Sequence, residues 1–449
     1  MDNSGPLSPQ DYYSQSRLAR LRYRLKYEPR RILDLSLIFI SIFIEWLGNT
    51  LLAPITPWYI EKLAPDMDEG SAASILMASY AVGTFLASLF TGPLSDRIGR
   101  RPILIAAMFL YTSSQFAAAN AWNITTFAIF RAIGGVSAGT RPVIMAYLTD
   151  TSRPDDMKLY GVLMGLFVVT GQALGPMLGG ALASVTLSFP FYFLGGVSVV
   201  LLILLVIFLR ESLVKDENGR PRSIWGAGQI AEPPNNKYLV PTVLCLATAS
   251  FSGQYVFSSW TTVFGLLGAD RYDLSSSSNG AVLGVQAIVV ILVNLVYLPI
   301  THVLAPALVG CIGHLLCALL IIVPFIYNLY LTIALGMALN VGCGLYFAGM
   351  AYFNSVVAPP KQRGLINSLV MSMANLGGIF GPLIAGPLYD MDPIHRAYPF
   401  YLSAGISVVG GTACLGIHKA LIYALSLVSQ TGTRKVETND DEMNHNHAP

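Results

Sequence analysis

The stretch "TGPLSDRIGRRP" (Thr91–Pro102) places four charged side chains within six residues, between two long apolar runs. The chain around it has 449 residues, of which 54% are hydrophobic and only 12% are charged. A soluble chain carries about 25% charged residues, so this composition indicates a membrane protein. Charge of this density belongs in an aqueous loop, because ionisable groups are costly in hydrocarbon.

Twelve apolar segments lie along the chain around this stretch. A helix that crosses the hydrocarbon core needs roughly 20 apolar residues. Gly and Pro inside several segments are compatible with helices in a bundle, and the alternation typical of a membrane β-barrel is absent. We therefore predict an all-α membrane protein with twelve transmembrane helices. The predicted spans are 33–60, 72–92, 102–121, 124–148, 160–184, 189–209, 239–268, 278–299, 303–325, 328–352, 364–388 and 397–425.

The basic residues outside these spans divide sharply between the two sides of the membrane. One side, which includes both tails and the opening stretch, holds nearly all of them. The other side holds only Lys62, Arg271 and Arg396. The positive-inside rule then predicts that both termini are cytosolic, in a plasma membrane or an organelle membrane. We call the first side the basic face and the second the opposite face.

The chain also looks doubled. Helix 5 reads "GQALGPMLGGAL" (171–182) and helix 11 reads "GGIFGPLIAGPL" (377–388), so three glycines and a proline recur in the same register. A repeated six-helix unit is typical of transporters built from two related halves, with the site between them. The predicted organisation is a basic cytosolic tail (1–31), an N-terminal six-helix bundle (32–210), a cytosolic linker (211–238), a C-terminal six-helix bundle (239–425) and a polar cytosolic tail (426–449).

The order Gly-x-x-x-Asp-Arg-x-Gly-Arg-Arg in the opening stretch resembles the signature loop between helices 2 and 3 of the major facilitator superfamily. In that family the loop latches the two halves together on the cytosolic side, and the resemblance assigns this role to Asp96 and the arginines. The equivalent stretch of the second half, "YLPITHVLAPA" (297–307), has lost the charges, so such a latch would be one-sided. The predicted cytosolic gate residues are Gly92, Asp96, Arg97, Gly99, Arg100 and Arg101.

Two further stretches resemble the twelve-helix drug:proton antiporter branch of that family, in particular its tetracycline-transporter-like group. Helix 4 has "FRAIGGVSAG" (130–139), in which Arg131 takes the position of the arginine of a family motif and Gly134 stands where glutamine is usual. Helix 5 has the Gly-Pro-x-x-Gly-Gly pattern associated with antiporters, whose small residues allow close packing and bending. The residues of this helix 5 motif are Gly171, Gly175, Pro176, Gly179 and Gly180.

Three ionisable side chains lie well inside the predicted spans: Glu45, Arg131 and Arg141. At about 1.5 Å per residue, Glu45 and Arg131 share a depth of about 10–12 Å below the opposite face. In the resembled family helices 1, 4, 7 and 10 line a central cavity, so these two side chains are expected to meet across it. Helix 1, with Glu45, Gly48 and the Pro54-x-x-Pro57 pair, is similar in spacing to helix 1 of tetracycline-type efflux proteins and vesicular amine transporters, which carry an acidic residue there.

The hypothesis for proton coupling is that Glu45 carries the proton and Arg131 controls it. Burial favours the protonated form of a carboxyl group, whereas a nearby arginine favours the carboxylate. Moving the arginine, or exchanging it for substrate, would then switch the proton affinity. A static ion pair that braces helices 1 and 4 is the alternative.

The remaining candidate substrate ligands are polar and aromatic. Arg141 either extends to the basic face or faces the cavity, where two arginines against one glutamate would favour an anionic substrate. Reported substrates of the tetracycline-transporter-like group also lean toward organic anions. Side chains of helices 7 and 10 would form a wall suited to an amphiphilic molecule. The predicted substrate-binding residues are Glu45, Arg131, Arg141, Gln254, Tyr255, Asn340 and Tyr346.

The sequence therefore predicts a secondary transporter that exchanges a small organic solute for protons by alternating access. It lacks a Gly-x-x-x-x-Gly-Lys phosphate loop and any spaced Cys or His ligand set, so no enzymatic activity, metal or cofactor is expected. The expected partners are the solute, protons and membrane lipid, without nucleic acid, and the chain is expected to be a monomer. Two alternatives stay open: proton-coupled or facilitative uptake of an organic anion, and a non-transporting sensor on the same scaffold.

Overall fold

The computed structural model describes residues 28–151, 157–215, 221–222, 239–357, 363–392 and 394–418. Within these ranges, eleven helices are long and apolar enough to cross a membrane. The remaining span, helix 4, is present as two shorter pieces. This is the predicted all-α architecture of two six-helix halves. Most of both predicted tails and of the linker lies outside the described residues.

The first half contains helix 1 (Pro29–Thr50, continued by Thr56–Leu63), helix 2 (Glu69–Ile98), helix 3 (Arg100–Ala119), helix 4 (Ile124–Ala138 and Arg141–Thr151), helix 5 (Met157–Ala183) and helix 6 (Phe189–Phe208). The second half contains helix 7 (Leu239–Tyr272), helix 8 (Ser276–Val303), helix 9 (Pro306–Ala318), helix 10 (Leu329–Val357), helix 11 (Arg363–Asp390) and helix 12 (Tyr398–His418). Two 3₁₀ segments (Ala53–Ile55 and Leu319–Phe325) and a small antiparallel pair (Val214–Lys215 with Pro221–Arg222) complete the described elements.

Helix 1 is interrupted inside the protein. Pro54 has no backbone N–H, so the carbonyl of Thr50 loses the donor that would continue the helix. The chain passes instead through the 3₁₀ turn Ala53–Ile55, whose residues are fully buried. The break leaves the last carbonyls of Pro29–Thr50 without donors from their own helix.

The predicted loop between helices 2 and 3 is almost absent. Helix 2 continues through the opening stretch to Ile98, and helix 3 begins at Arg100. Only Gly99 separates them. Its φ is 123°, a value that residues other than glycine rarely adopt. The charges of the stretch therefore project from the last turn of one helix and the first turn of the next, which fixes their directions.

Helices 5 and 11 occupy equivalent places in the two halves. On helix 5, Gly175 packs against Leu47 and Thr50 of helix 1, while Gly180 packs against helix 8 of the second half. On helix 11, Gly381 packs against helix 7, and Gly386 packs against helix 2 of the first half. Each helix thus uses one glycine face within its own half and another across the halves. This explains why the same pattern recurs in the sequence.

The halves meet through specific contacts toward the opposite face. The amide of Asn279 on helix 8 donates to the carbonyl of Pro54 on helix 1 at 3.2 Å. The hydroxyl of Ser74 on helix 2 donates to the carbonyl of Pro382 on helix 11 at 2.8 Å. These pairs, with the glycine contacts of helices 5 and 11, hold the two halves together on that side.

Candidate functional site

Glu45 lies on helix 1 and is 4% exposed. Its carboxylate accepts a 2.9 Å hydrogen bond from the hydroxyl of Ser137 on helix 4. Tyrosines from helices 2 and 3 fix the surrounding backbone, since Tyr80 donates to the carbonyl of Glu45 and Tyr111 to that of Ile44. The carboxyl group is therefore buried within the first half and hydrogen-bonded to helix 4, while helices 2 and 3 hold the backbone beside it.

A small cavity adjoins this carboxyl group. It has a volume of about 10 Å³ and is lined by residues of helices 1, 3, 4 and 6, including Ser41 and Thr140. This volume is close to the lower limit for holding one water molecule. Apart from Glu45 and the hydroxyl groups of Ser41 and Thr140, the lining of this space is apolar.

Arg131 does not pair with Glu45, contrary to the predicted meeting of the two side chains. Its guanidinium donates to the carbonyls of Gly48 at 2.9 Å and Asn49 at 3.2 Å. These carbonyls belong to the last turn before the break in helix 1, where a cation is favoured by the helix dipole. The ring of Tyr80 covers the guanidinium, with 4.7 Å between its carbon and the ring centroid. Arg131 thus caps the broken helix.

Arg141 is the arginine whose charge acts on Glu45. It begins the second piece of helix 4, and its guanidinium carbon lies 4.6 Å from the ring centroid of Trp46, the neighbour of Glu45 on helix 1. The side chain is half-buried and stacks on this ring. The structure therefore favours the inward orientation of Arg141 over extension to the basic face.

The candidate residues of the second half do not converge on this cluster. Gln254 is half-buried and borders Gly378 of helix 11. Gly378 also borders Ala81 of helix 2, which belongs to the first half. Gln254 therefore lies where the halves meet. Tyr255 and Tyr346 are buried inside the second half. Tyr346 packs edge-on against His314, with 4.8 Å between the ring centroids.

Asn340 completes the second-half candidates. It is 3% exposed, and its amide donates to the carbonyl of Gly336 on its own helix at 2.8 Å. Of the second-half candidates, Gln254 is therefore the one placed at the boundary between the halves, and its role in binding stays a prediction.

The signature residues form a network at the basic face. The guanidinium of Arg100 is buried and pairs with Asp96 and, at 3.2 Å, with Asp150 at the end of helix 4. Glu211, directly after helix 6, accepts hydrogen bonds from the backbone N–H groups of Arg100 (2.9 Å) and Arg101 (3.1 Å). These contacts lie within the first half, and the latch across the halves stays a prediction.

The other gate residues lie beside this network. Gly92 borders Pro142 of helix 4, and Arg97 occupies the last turn of helix 2. The side chain of Arg101 donates to the carbonyl of Val206 at 2.6 Å. A side chain at Gly99 would meet the carboxylate of Glu211.

Sequence reasoning missed Ser137, Asp150 and Glu211. Ser137 is a small polar residue in an apolar helix, and its distance of six residues from Arg131 gives no direct sign that it would face Glu45. Asp150 and Glu211 each follow a predicted span at the basic face. Their acidic side chains, on the same face as the basic signature, were the sequence feature that could have predicted the pairing.

Comparisons with known proteins agree with this fold. The model of the Major Facilitator Superfamily matches residues 38–325 and 305–420. The quinolone resistance protein NorA of Staphylococcus aureus is 25% identical over 376 residues, which cover 83% of this chain and 93% of that protein.

Solved structures show the same architecture. That of the human organic anion transporter MFSD10 (TETRAN) has a TM-score of 0.65 at 20% identity, covering 86% of this chain and 99% of that one. A bacterial homologue of the lysosomal transporter Spinster, in an inward-facing and occupied conformation, has a TM-score of 0.66 at 13% identity, covering 89% and 97%. The chain is a multi-pass membrane protein and secondary transporter that belongs to the Major Facilitator Superfamily.

Proposed function

We propose that this transporter exchanges an organic solute of the drug or organic-cation type for protons, with Glu45 as the proton carrier. The observation that carries the proposal is the buried Glu45 carboxylate, held by Ser137 and under the charge of Arg141. An ionisable group at this depth in a membrane helix is a functional candidate by default. The similarity to a quinolone resistance protein supports a drug-like solute.

The coupling follows from the contact between Arg141 and Trp46. An organic cation that binds to the face of Trp46 competes with the guanidinium for that ring. Arg141 then moves toward the carboxyl group of Glu45, and a closer positive charge favours release of the proton. Cation and proton therefore oppose each other, and by linkage each weakens the binding of the other. Antiport results when this competition is combined with alternating access.

Arg141 also supports a second candidate function, the proton-coupled uptake of an organic anion. An anion that pairs with the half-buried guanidinium draws it away from Glu45, which favours binding of a proton. The sign of the coupling then reverses, because anion and proton bind together. The charge of the solute thus decides between antiport and uptake in this geometry.

The orientation and partners of the chain complete the proposal. The basic face and both termini lie in the cytosol, in agreement with the positive-inside rule. The protein acts as a monomer, since one chain supplies both halves.

Vesicle flux tests this function. Purified protein in liposomes takes up a fluorescent quinolone or tetraphenylphosphonium under an imposed pH gradient. We expect the gradient to drive accumulation in the wild type, and Glu45→Gln to exchange solute across the membrane without response to the gradient. Glu61→Gln is the matched control, because it changes an exposed acid at the end of the same helix. Gradient-driven accumulation by Glu45→Gln equal to that of the wild type would exclude Glu45 as the carrier.

A further inference from the structure

Asp390, at the end of helix 11, joins the two halves at the opposite face. Its carboxylate accepts hydrogen bonds of 2.9 Å from the backbone N–H groups of Gly70 and Ser71, and one of 3.3 Å from the hydroxyl of Ser71. Gly70 and Ser71 begin helix 2, and the first N–H groups of a helix have no partner within it. A carboxylate is also favoured there by the helix dipole. One side chain of the second half thus caps a helix of the first.

The backbones are also close at this point. Gly70 and Gly386 pack so tightly that a side chain on either would meet the carbonyl of the other. The carboxylate of Asp390 reaches the helix 2 amides only because the two helices approach this closely. The cap therefore forms with closure of the opposite face and breaks when the halves separate there.

Two further acidic residues lie beside this cap. Glu69, the first residue of helix 2, lies beside Asp270 on helix 7, so that a protonated Glu69 can donate to the Asp270 carboxylate. The hydroxyl of Tyr389 donates to Asp270 at 2.6 Å, and the guanidinium of Arg396 lies 3.5 Å from the same carboxylate. The closed face thus brings Glu69 and the Asp390 cap beside Asp270, which is paired with one guanidinium and one hydroxyl. Two carboxyl groups in contact do not both stay ionised at low cost.

We propose that these residues form an acid-sensitive latch, which closes the opposite face when a protonated Glu69 donates to Asp270 and loosens when that proton is lost. Glu69 is exposed, so it exchanges protons with the compartment that the opposite face borders. The latch rests on the alternating access of the proposed function. It adds a titrating step at the gate that is separate from Glu45.

Asp392, in the loop after helix 11, does not account for such a response. The backbone N–H groups of His395 and Ala397 hold the pKa of Asp392 below its usual range. The stabilisation that the Asp392 carboxylate gives this loop is complete above the pKa of an unfolded Asp, about 3.9. It is lost only as the pH falls through the lower pKa of Asp392 in the folded protein. Asp392 therefore stays ionised over the interval from about pH 5 to about pH 8.

His395 needs a control, because its imidazole lies in the loop beside the latch. Its ring contacts the hydroxyl of Tyr327 at 3.4 Å, and its backbone carbonyl accepts from Arg271. The ring therefore belongs to a contact beside the latch. His395→Gln removes the imidazole and leaves Glu69, Asp270, Asp390 and Arg396 in place.

Spin-label distances across the opposite face test the latch. Trp122, between helices 3 and 4, and Tyr330, at the start of helix 10, are 72% and 81% exposed and belong to different halves. Both are replaced by cysteine in a background whose five native cysteines are alanine. Double electron–electron resonance in lipid nanodiscs then gives the fraction of closed molecules at acidic and alkaline pH.

In the background protein, we expect the ratio of closed to open molecules to rise at least about threefold from pH 8 to pH 5, as binding of one proton to the closed state allows. Glu69→Gln should remain closed at both pH values, because its amide donates to Asp270 without a charge. Asp390→Ala should lower the closed fraction at both. Asp66→Asn, in the exposed loop before helix 2, and His395→Gln should respond like the background protein.

Two results would overturn the latch: a closed fraction that does not change with pH in the background protein, or a full pH response in Glu69→Gln. The distances are measured without solute and without a pH gradient, so they do not depend on transport. Gradient-driven flux with no pH response of the distances defeats the latch alone. A pH-dependent distance in a protein without proton-driven flux defeats the proposed exchange alone.

Discussion

Arg131 shows how a buried charge is stabilised here without a counter-charge. Its two hydrogen bonds go to Gly48 and Asn49, carbonyls that the break in helix 1 leaves without donors from their own helix. The interaction supplies donors to both carbonyls, whereas the guanidinium Nε has no hydrogen-bond partner among the described residues. Because Gly48 lies one turn after Glu45, Arg131 also fixes the position of the helix that carries the proton.

We expect Arg131→Lys to destabilise the protein, because a single ammonium cannot reproduce the planar fork that reaches both carbonyls. Loss of one hydrogen bond between a charged group and a buried acceptor costs about 1.5–3 kcal/mol. Thermal unfolding of purified protein in detergent should show a lower Tm than wild type, and Arg131→Ala should show a larger decrease. An unchanged Tm for both variants would contradict the capping role.

Counting residues along the helices predicts the depths of Glu45, Arg131 and Arg141 but not their partners. Depth follows from counting residues along a helix, whereas contact depends on the rotation of each helix about its axis. Arg131 and Glu45 share a depth, yet they face different groups. Arg141, nearer the basic face by count, is the arginine that acts on Glu45. The break in helix 1 decides the outcome, because it creates acceptors that attract Arg131.

At the scale of elements, helix 5 has two glycine faces with different tasks. Gly171, Gly175 and Gly179 pack against helix 1, whereas Gly180 packs against helix 8. Such faces are not distinguishable by composition, since all four are the same residue. Their spacing of four residues against helix 1 places them in one row. Gly180 lies off that row and faces the other half.

Gly175→Ala should destabilise the protein, because the added methyl group would meet Thr50 and the carbonyl of Leu47. Overpacking of this kind costs about 1–3 kcal/mol. Gly165→Ala is the matched control on the same helix, since its added methyl group meets no neighbour. It should be neutral or stabilising by up to about 1 kcal/mol, from helix propensity. Equal Tm values for the two variants would contradict the packing described here.

The helices themselves were largely predictable, because hydropathy over roughly 20 residues identifies a span whatever its contacts. The interruptions were not. Helix 4 breaks between Ala138 and Arg141, where Pro142 has no backbone N–H to donate to the carbonyl of Ala138. The predicted loop at the opening stretch shrinks to Gly99, because helix 2 continues through charged residues at its end. A window of hydropathy registers neither difference, because it measures the mean polarity of a segment and not where its helix stops.

At the scale of the whole molecule, the proposed mechanism uses two proton-binding sites in different places: one inside the first half and one between the halves. Glu45 is enclosed in the first half beside Arg141 and Trp46. The Glu69–Asp270 pair lies between the halves at the opposite face. In the proposed mechanism, binding of solute changes proton binding at Glu45, and closure of the opposite face changes proton binding at Glu69. The doubled pattern of helices 5 and 11 supplies the contacts on which the halves close.

Proton exchange on solute binding tests the central claim most directly. Purified protein in weakly buffered detergent solution, with a pH indicator, is mixed with tetraphenylphosphonium, and binding is measured in parallel by calorimetry. We expect the wild type and the control Glu61→Gln to release up to about one proton per bound cation, by linkage between the two ligands. Glu45→Gln should bind the cation and release none. Proton release by Glu45→Gln equal to that of the wild type, or binding without release in the wild type, would contradict the account.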